Sequence, residues 1–169
     1  MLADRLLPDR RPPDRLSALC TSCGLCCDGT LFTQVPLTAD EAGLLRARGL
    51  TLRALDGRPP ALPQRCAALD GRCCTIYAER PAGCRRYRCM LHAALAGDEL
   101  ELHEARALVD ETHALIEALG RALPAGPGAP VQRARVAAAA GTLTSEASAA
   151  LGDVARQLGR HFEREAGRG

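Results

Sequence analysis

Hydrophobic positions recur with a helical period in the second half of the chain. From position 102 to position 119, apolar or small residues are spaced alternately three and four apart. Acidic residues crowd the first turns, where the helix dipole favours negative charge. The pattern predicts a long helix over about 98–122, with an inward-facing seam of Leu102, Ala105, Val109, Thr112, Ile116 and Leu119.

Two more helical segments are predicted after a break rich in Pro and Gly at 124–130. An Ala-rich segment covers about 131–140, and after Gly141 a second one restarts near Thr144 or Ser145 and runs to about 165. We expect both to pack antiparallel on the 98–122 helix. The apolar face of the last segment consists of Leu151, Val154, Leu158 and Phe162.

The first half of the chain carries shorter signals. Thr38 and Glu41 form a capping box, and Gly49 stands where a left-handed C-terminal cap would, which predicts a helix over 39–48. Residues 29–35 are interpreted as one short extended stretch, and residues 49–65, which contain three prolines, as a loop. Residues 1–17 are rich in Arg, Asp and Pro and are predicted to form an N-terminal arm.

Composition favours a mainly α protein. Leu far outnumbers Val and Ile, and aromatic residues make up 2% of the chain, so a β-sandwich or barrel is not expected. The 169 residues fit one domain. We predict a loop-rich cysteine module over 18–92 that packs on a helical hairpin or three-helix appendage over 98–166, the two forming one compact unit.

Charge divides along the same boundary. Residues 1–97 hold 14 Arg and 9 acidic residues, a net charge of +5, whereas residues 98–169 hold 8 Arg and 11 acidic residues, a net charge of −3. The total of +2 argues against a nucleic-acid binder that relies on bulk positive potential. The acidic helix is a candidate surface for a protein partner.

Nine cysteines are the feature that points to chemistry, and none follows position 89. The first residues lack the apolar core of a secretion signal, and no run approaches the roughly 20 apolar residues of a membrane span. We therefore expect a cytoplasmic protein without a membrane partner. Clustered thiols in a reducing compartment indicate metal binding or redox chemistry rather than disulfides.

The first cysteine block reads C-x2-C-x2-C-C from Cys20 to Cys27. Thiols spaced by two residues can turn their sulfur atoms toward one point, and Gly24 permits the tight turn that this requires. Cys26 and Cys27 are adjacent and project in different directions. They indicate either two metals or one ligand with an auxiliary thiol.

The second block, from Cys66 to Cys89, would supply the remaining ligands. Three closely spaced thiols and a distant fourth suit an iron–sulfur cubane, although the continuation typical of bacterial ferredoxins is absent. Zinc would instead divide eight thiolates into two Cys₄ sites. Arginines near this block could offset the thiolate charge, or form a solvated basic face: Arg65, Arg72, Arg80, Arg85, Arg86 and Arg88.

These residues resemble the CxxCxxCC family, also called YkgJ-like. The resemblance covers about residues 20–90 and extends through Ile76-Tyr77, Arg80-Pro81 and the Cys84-to-Cys89 segment. It implies a zinc- or iron-chelating cysteine cluster in a bacterial protein. Matched residue by residue, the implied metal ligands are Cys20, Cys23, Cys26, Cys27, Cys66, Cys74, Cys84 and Cys89, which leaves Cys73 as a spare or packing thiol.

Four further side chains, Tyr77, Arg80, Arg85 and Tyr87, are expected to bind around the cofactor as donors or packing groups. We expect a metal-binding protein with an iron centre, either an iron–sulfur cluster or a multi-iron site, in preference to zinc. The sequence leaves open whether the centre is redox-active or catalytic. The alternative is a structural zinc module that serves interaction or metal delivery without catalysis. Asp110 and His113 are interpreted as part of a solvated helix face.

Overall fold

The computed structural model describes residues 14–163, in which seven α-helices carry most of the regular structure. The fold is mainly α, as the composition predicts. The helices are α1 (Arg15–Cys23), α2 (Ala39–Ala47), α3 (Ala82–Arg86), α4 (Met90–Ala96), α5 (Leu102–Ala122), α6 (Pro130–Ala139) and α7 (Ser145–His161). Short strands form two small sheets: β1 (Gln34–Pro36), β2 (Arg53–Leu55), β3 (Arg58–Pro63), β4 (Leu69–Asp70) and β5 (Cys73–Cys74).

The helical core is built from α1, α4, α5, α6 and α7. The predicted seam of α5 faces inward, since every member from Ala105 to Leu119 is buried and Leu102 is half-buried against the same core. Both α6 and α7 pack on α5, and Val154, Leu158 and Phe162 of the last segment are fully buried. The helical periodicity of the second half is therefore confirmed.

A strand core, smaller than the first, lies between α2 and the three-stranded sheet. β3 is the central strand, with β1 and β2 paired antiparallel on either side. Val35 of β1 faces Leu62 of β3, and both are buried. The predicted capping box of α2 is present: Thr38 and Glu41 exchange backbone-to-side-chain hydrogen bonds of 2.9 and 3.2 Å. Gly49, with φ 80°, follows the end of the helix as expected.

The loop predicted over 49–65 is wrong, because β2 and β3 form a hairpin around Asp56 and Gly57. Its prolines are tolerated in a central strand because the register shifts there. Arg53 pairs with Ala61 and Leu55 with Arg58, so two prolines stand opposite the single residue 54. The bulge places Pro59 and Pro60 where the β2–β3 ladder is interrupted.

Two other boundaries differ from the prediction. Residues 29–35 are extended only from Gln34, because Gly29 has φ 96° and the Asp28 carboxylate accepts the Thr30 amide at 2.7 Å, which bends the chain. The long helix begins at Leu102 rather than near 98. Asp98 has φ 58°, which interrupts the helix before a capping box of Glu101 and Glu104 starts α5.

The arm predicted over 1–17 falls mostly outside the described residues, although its last residues belong to α1, which has Asp14 as N-cap. The last helical segment, predicted to run to about 165, ends at His161, and residue 165 itself falls outside the described residues. The division into arm, module and appendage stays a prediction. Among residues 14–163, no helix is long and apolar enough to cross a membrane.

Candidate metal centre

A cavity of about 290 Å³ lies where the two cores meet. Leu19 and Leu91 of the helical core form part of its wall, and Val35 and Leu62 of the strand core form another part. Eight of the nine cysteines line it: Cys20, Cys23, Cys26, Cys27, Cys66, Cys74, Cys84 and Cys89. Thiols from both sequence blocks therefore reach one cavity.

The first block is shaped by the end of α1. Cys20 and Cys23 are one turn apart on this helix, which ends at Gly24 with φ 74°. The Gly24 carbonyl oxygen then accepts the amides of Cys27 and Asp28 at 2.8 and 2.9 Å, so the chain turns sharply. A Cβ atom at Gly24 would lie 3.1 Å from the backbone of Arg72. Glycine thus lets the second block approach the first.

The second block is joined to the first by backbone contacts. The Cys66 amide donates to the Cys27 carbonyl oxygen at 2.8 Å. The β4–β5 hairpin pairs Leu69 with Cys74, and Cys84 lies on α3. Cys89 is the N-cap of α4, where its sulfur atom accepts the His92 amide at 3.3 Å.

Burial suppresses ionisation of these thiols. Burial, together with the neighbouring Cys89 and Cys20 and against a hydrogen bond from the Leu25 amide, raises the pKa of Cys23 to about 12. Burial also raises the pKa of Cys27 to about 12, here reinforced by Cys74, Cys66 and Cys84. The free protein therefore holds protonated thiols at neutral pH.

The donor set fits a thiophilic metal. All nine cysteines are free, and thiolate is the ligand that zinc, copper(I) and iron–sulfur clusters prefer. Backbone amides already donate to several of the sulfur atoms, as at Cys66 and Cys74. Within residues 14–163, no three His, Cys, Asp or Glu side chains stand close enough together to hold a single ion. The sulfur atoms instead stand around the cavity.

Three of the four predicted surrounding residues line the cavity: Tyr77, Arg80 and Tyr87. The Arg80 guanidinium carbon lies 3.6 Å from the centre of the Tyr77 ring, and the Arg80 Nε is buried without a hydrogen-bond partner among residues 14–163. Tyr87 stacks edge-on against Phe32 with ring centres 4.6 Å apart. Arg85 is exposed and does not line the cavity, although its carbonyl oxygen accepts a hydrogen bond from Arg88.

Cys73 also lies outside the cavity. Its neighbours in the chain, Arg72 and Cys74, line the wall, whereas Cys73 is exposed on the other side of the short strand β5. Successive side chains of a strand point to opposite faces, which accounts for the difference between Cys73 and Cys74.

The interpretation as a solvated helix face is confirmed for Asp110, whose side chain is 71% exposed, and is wrong for His113, which is half-buried. His113 Nε2 donates to the Cys23 carbonyl oxygen at 2.7 Å, and Asp110 pairs with Arg72 at 2.6 Å. These contacts fasten α5 to both cysteine blocks. The sequence signal was only a spacing of three on one helix face, which does not reveal what the face contacts.

A family model named CxxCxxCC, with the description "Putative zinc- or iron-chelating domain", matches residues 19–110. The match covers both cysteine blocks and the first part of α5. No curated protein and no solved structure matches the chain.

Proposed function

The chain belongs to the CxxCxxCC family of zinc- or iron-chelating domains, and we propose that its eight cavity cysteines are the metal ligands. The observation that supports this assignment is the composition of one cavity wall. Eight of nine thiols, from segments far apart in sequence, face the same space, and the ninth does not. A packing role alone gives no reason for that selection.

We propose an iron-based centre in preference to zinc. The sulfur atoms are distributed around a cavity of about 290 Å³. A zinc ion would draw four of them to about 2.3 Å from one point. An iron–sulfur or multi-iron centre brings several metal atoms and bridging ligands, and would fill a gap of this kind with less movement of the chain.

The polar wall supports a thiolate centre of net negative charge. Burial raises the pKa of Cys20, and the Arg80 guanidinium and a hydrogen bond from Tyr77 oppose that rise. A guanidinium that donates to thiolate sulfur would neutralise part of the charge that metal binding leaves. Arg80 and Tyr77 are thus proposed to stabilise the loaded centre.

The nine free thiols further support a reducing compartment, and we propose the cytoplasm. The acidic face of α5 is retained as a proposed partner surface. Asp110 is not part of that surface, because it already pairs with Arg72.

The experiment is elemental analysis and absorption spectroscopy of the full chain, purified without oxygen. An iron–sulfur centre gives broad absorbance at about 400 nm and equal amounts of iron and sulfide. Zinc as the sole metal would overturn the iron proposal but leave thiolate chelation standing. A chain that takes up neither metal would overturn both.

A further inference from the structure

Cys26 and Cys27 are adjacent in the chain but have different neighbours in the thiol cavity. After the Gly24 turn the two side chains diverge. Cys26 lines the cavity, and among the described residues it is not one of the thiols that pack on the strand core. Cys27 instead packs on the strand core, and its backbone oxygen is bonded to the Cys66 amide. Adjacent cysteines therefore face different neighbours.

On the Cys26 side, the elements belong to the helical core. Cys20 and Cys23 are three residues apart on α1 and share a helix face. α1 packs against α4, whose N-cap is Cys89. Cys23 and Cys89 are both packed against the helical core.

On the Cys27 side, every thiol is packed against the strand core: Cys27, Cys66, Cys74 and Cys84. Cys66 and Cys74 are drawn together by the β4–β5 hairpin, since the Leu69 amide donates to Cys66 and Leu69 pairs with Cys74. Cys84 is brought in by α3, where a Cβ atom at Gly83 would lie 2.8 Å from Val35 of β1. These four thiols therefore share one wall.

We propose that the eight ligands form two separate four-thiolate centres rather than one shared cluster. The helical set is Cys20, Cys23, Cys26 and Cys89, and the strand set is Cys27, Cys66, Cys74 and Cys84. This inference rests on the proposed function and adds the number of centres and the ligands of each. Four thiolates complete either a tetrahedral zinc site or an iron–sulfur cluster, so the division holds for both metals.

Arg80 lines the same cavity as both sets of thiols. Its positive charge acts on Cys20 of the helical set and on Cys74 and Cys84 of the strand set. Its buried Nε has no hydrogen-bond partner in the described chain. Each loaded zinc centre would carry a formal charge of −2. A guanidinium in the same cavity would reduce the repulsion between two anionic centres.

The test is the total iron and zinc bound per full chain in matched double variants. A within-set pair, Cys20→Ser with Cys26→Ser, is expected to retain half of the wild-type metal. The other within-set pair, Cys27→Ser with Cys84→Ser, is expected to retain the other half. An across-set pair, Cys20→Ser with Cys84→Ser, removes the same number of thiols but one from each set. It is expected to retain no metal. Cys73→Ser is the control and is expected to retain all of it.

Equal loss in the within-set and across-set pairs would overturn the two-centre inference and leave thiolate chelation intact. Absence of metal from the wild-type chain would overturn the proposed function itself. Circular dichroism identifies variants that fail to fold. As a second measurement, the metal absorption spectra of the two within-set variants should sum to the wild-type spectrum. A sum that departs from the wild-type spectrum would mean that the centres share ligands.

Discussion

At the scale of single residues, Gly24 decides whether the two cysteine blocks can meet. Its φ of 74° is left-handed, and the Arg72 backbone passes 3.1 Å from where a Cβ atom would lie. Gly49 has a similar φ of 80°, but a Cβ atom added there would have no atom of another described residue, apart from its chain neighbours, within 4 Å. A substitution at Gly49 would therefore introduce backbone strain alone, whereas one at Gly24 would introduce both strain and a steric contact.

We predict that Gly49→Ala lowers the free energy of unfolding by about 1 kcal/mol, the cost of a left-handed alanine. Gly24→Ala is expected to lower it by roughly a further 1–3 kcal/mol, because the Arg72 backbone must also move. Urea unfolding of the metal-free chain measures both. As a control, Gly43→Ala in α2, an open helical position, should raise stability by about 0.5–1 kcal/mol. Equal losses at positions 24 and 49 would contradict the proposed contact.

The family resemblance implied the eight thiols that line the cavity, but not how they divide. Because Cys26 and Cys27 are adjacent, their side chains point in different directions. That fact is compatible with two metals and also with one metal ligand beside an auxiliary thiol. Their neighbours are set by tertiary contacts, such as the hydrogen bond from the Cys66 amide to the Cys27 carbonyl oxygen. A contact between residues so far apart in sequence leaves no local pattern.

At the scale of elements, Glu41 links two helices. One carboxylate oxygen accepts the Thr38 amide and caps α2, and the other accepts the Ala82 amide at the start of α3, 2.7 Å away. These two backbone hydrogen bonds hold the pKa of Glu41 below its usual value of 4.5. The same carboxylate therefore positions α3, which carries Cys84.

We predict that Glu41→Ala lowers the melting temperature of the metal-free chain at neutral pH. Because the pKa of Glu41 is lowered in the folded state, its contribution is present above about pH 4.5 and is lost as the pH falls through the folded pKa. The difference between wild type and variant should therefore shrink toward zero in acid. Thermal unfolding followed by circular dichroism from neutral pH down to about pH 3 measures it.

The control for this prediction is Asp40→Ala, an exposed acid in the same first turn of α2. It retains both bonds of Glu41 and is expected to change the melting temperature less. A difference for Glu41→Ala that stays constant in acid would show that its effect is not carried by the ionised carboxylate.

Helices were predicted better than strands because their signals are local. The capping box at Thr38 and the seam of α5 lie within a few turns of chain. The β2–β3 hairpin was missed because prolines normally argue against a central strand. Asp56-Gly57 is a two-residue turn signal typical of a β-hairpin. It could be recognised as one only if a bulge took up Pro59 and Pro60, as it does in the structure.

At the scale of the whole molecule, the two cores depend differently on the thiols. Only Cys23 and Cys89 pack on the edge of the helical core, whose buried centre holds no cysteine. The strand core includes buried Cys66 and is flanked by three more thiols. Composition predicted a mainly α protein correctly, but the boundary between two cores arises from packing and has no compositional signal.

We predict that metal removal loosens the two cores unequally. Amide hydrogen exchange should accelerate in residues 20–30 and 64–89, because their loops lose the metal that fixes them. The centres of α5 and α7 should stay protected, since the apolar contacts between these helices contain no thiol. Exchange measured by mass spectrometry on loaded and stripped protein checks this. Reloading with metal should restore protection, and uniform acceleration along the chain would contradict the prediction.

Phe162 is fully buried in the wall of the thiol cavity. Its carbonyl oxygen accepts hydrogen bonds from the Tyr87 hydroxyl and the Met90 amide, both at 3.3 Å. Tyr87 and Phe162 are 75 positions apart, and every cysteine precedes position 90. A ribosome synthesises the chain from its N-terminus and therefore completes all nine cysteines before it adds Phe162. The thiols are therefore made before the part of the cavity wall that Phe162 supplies can be in place.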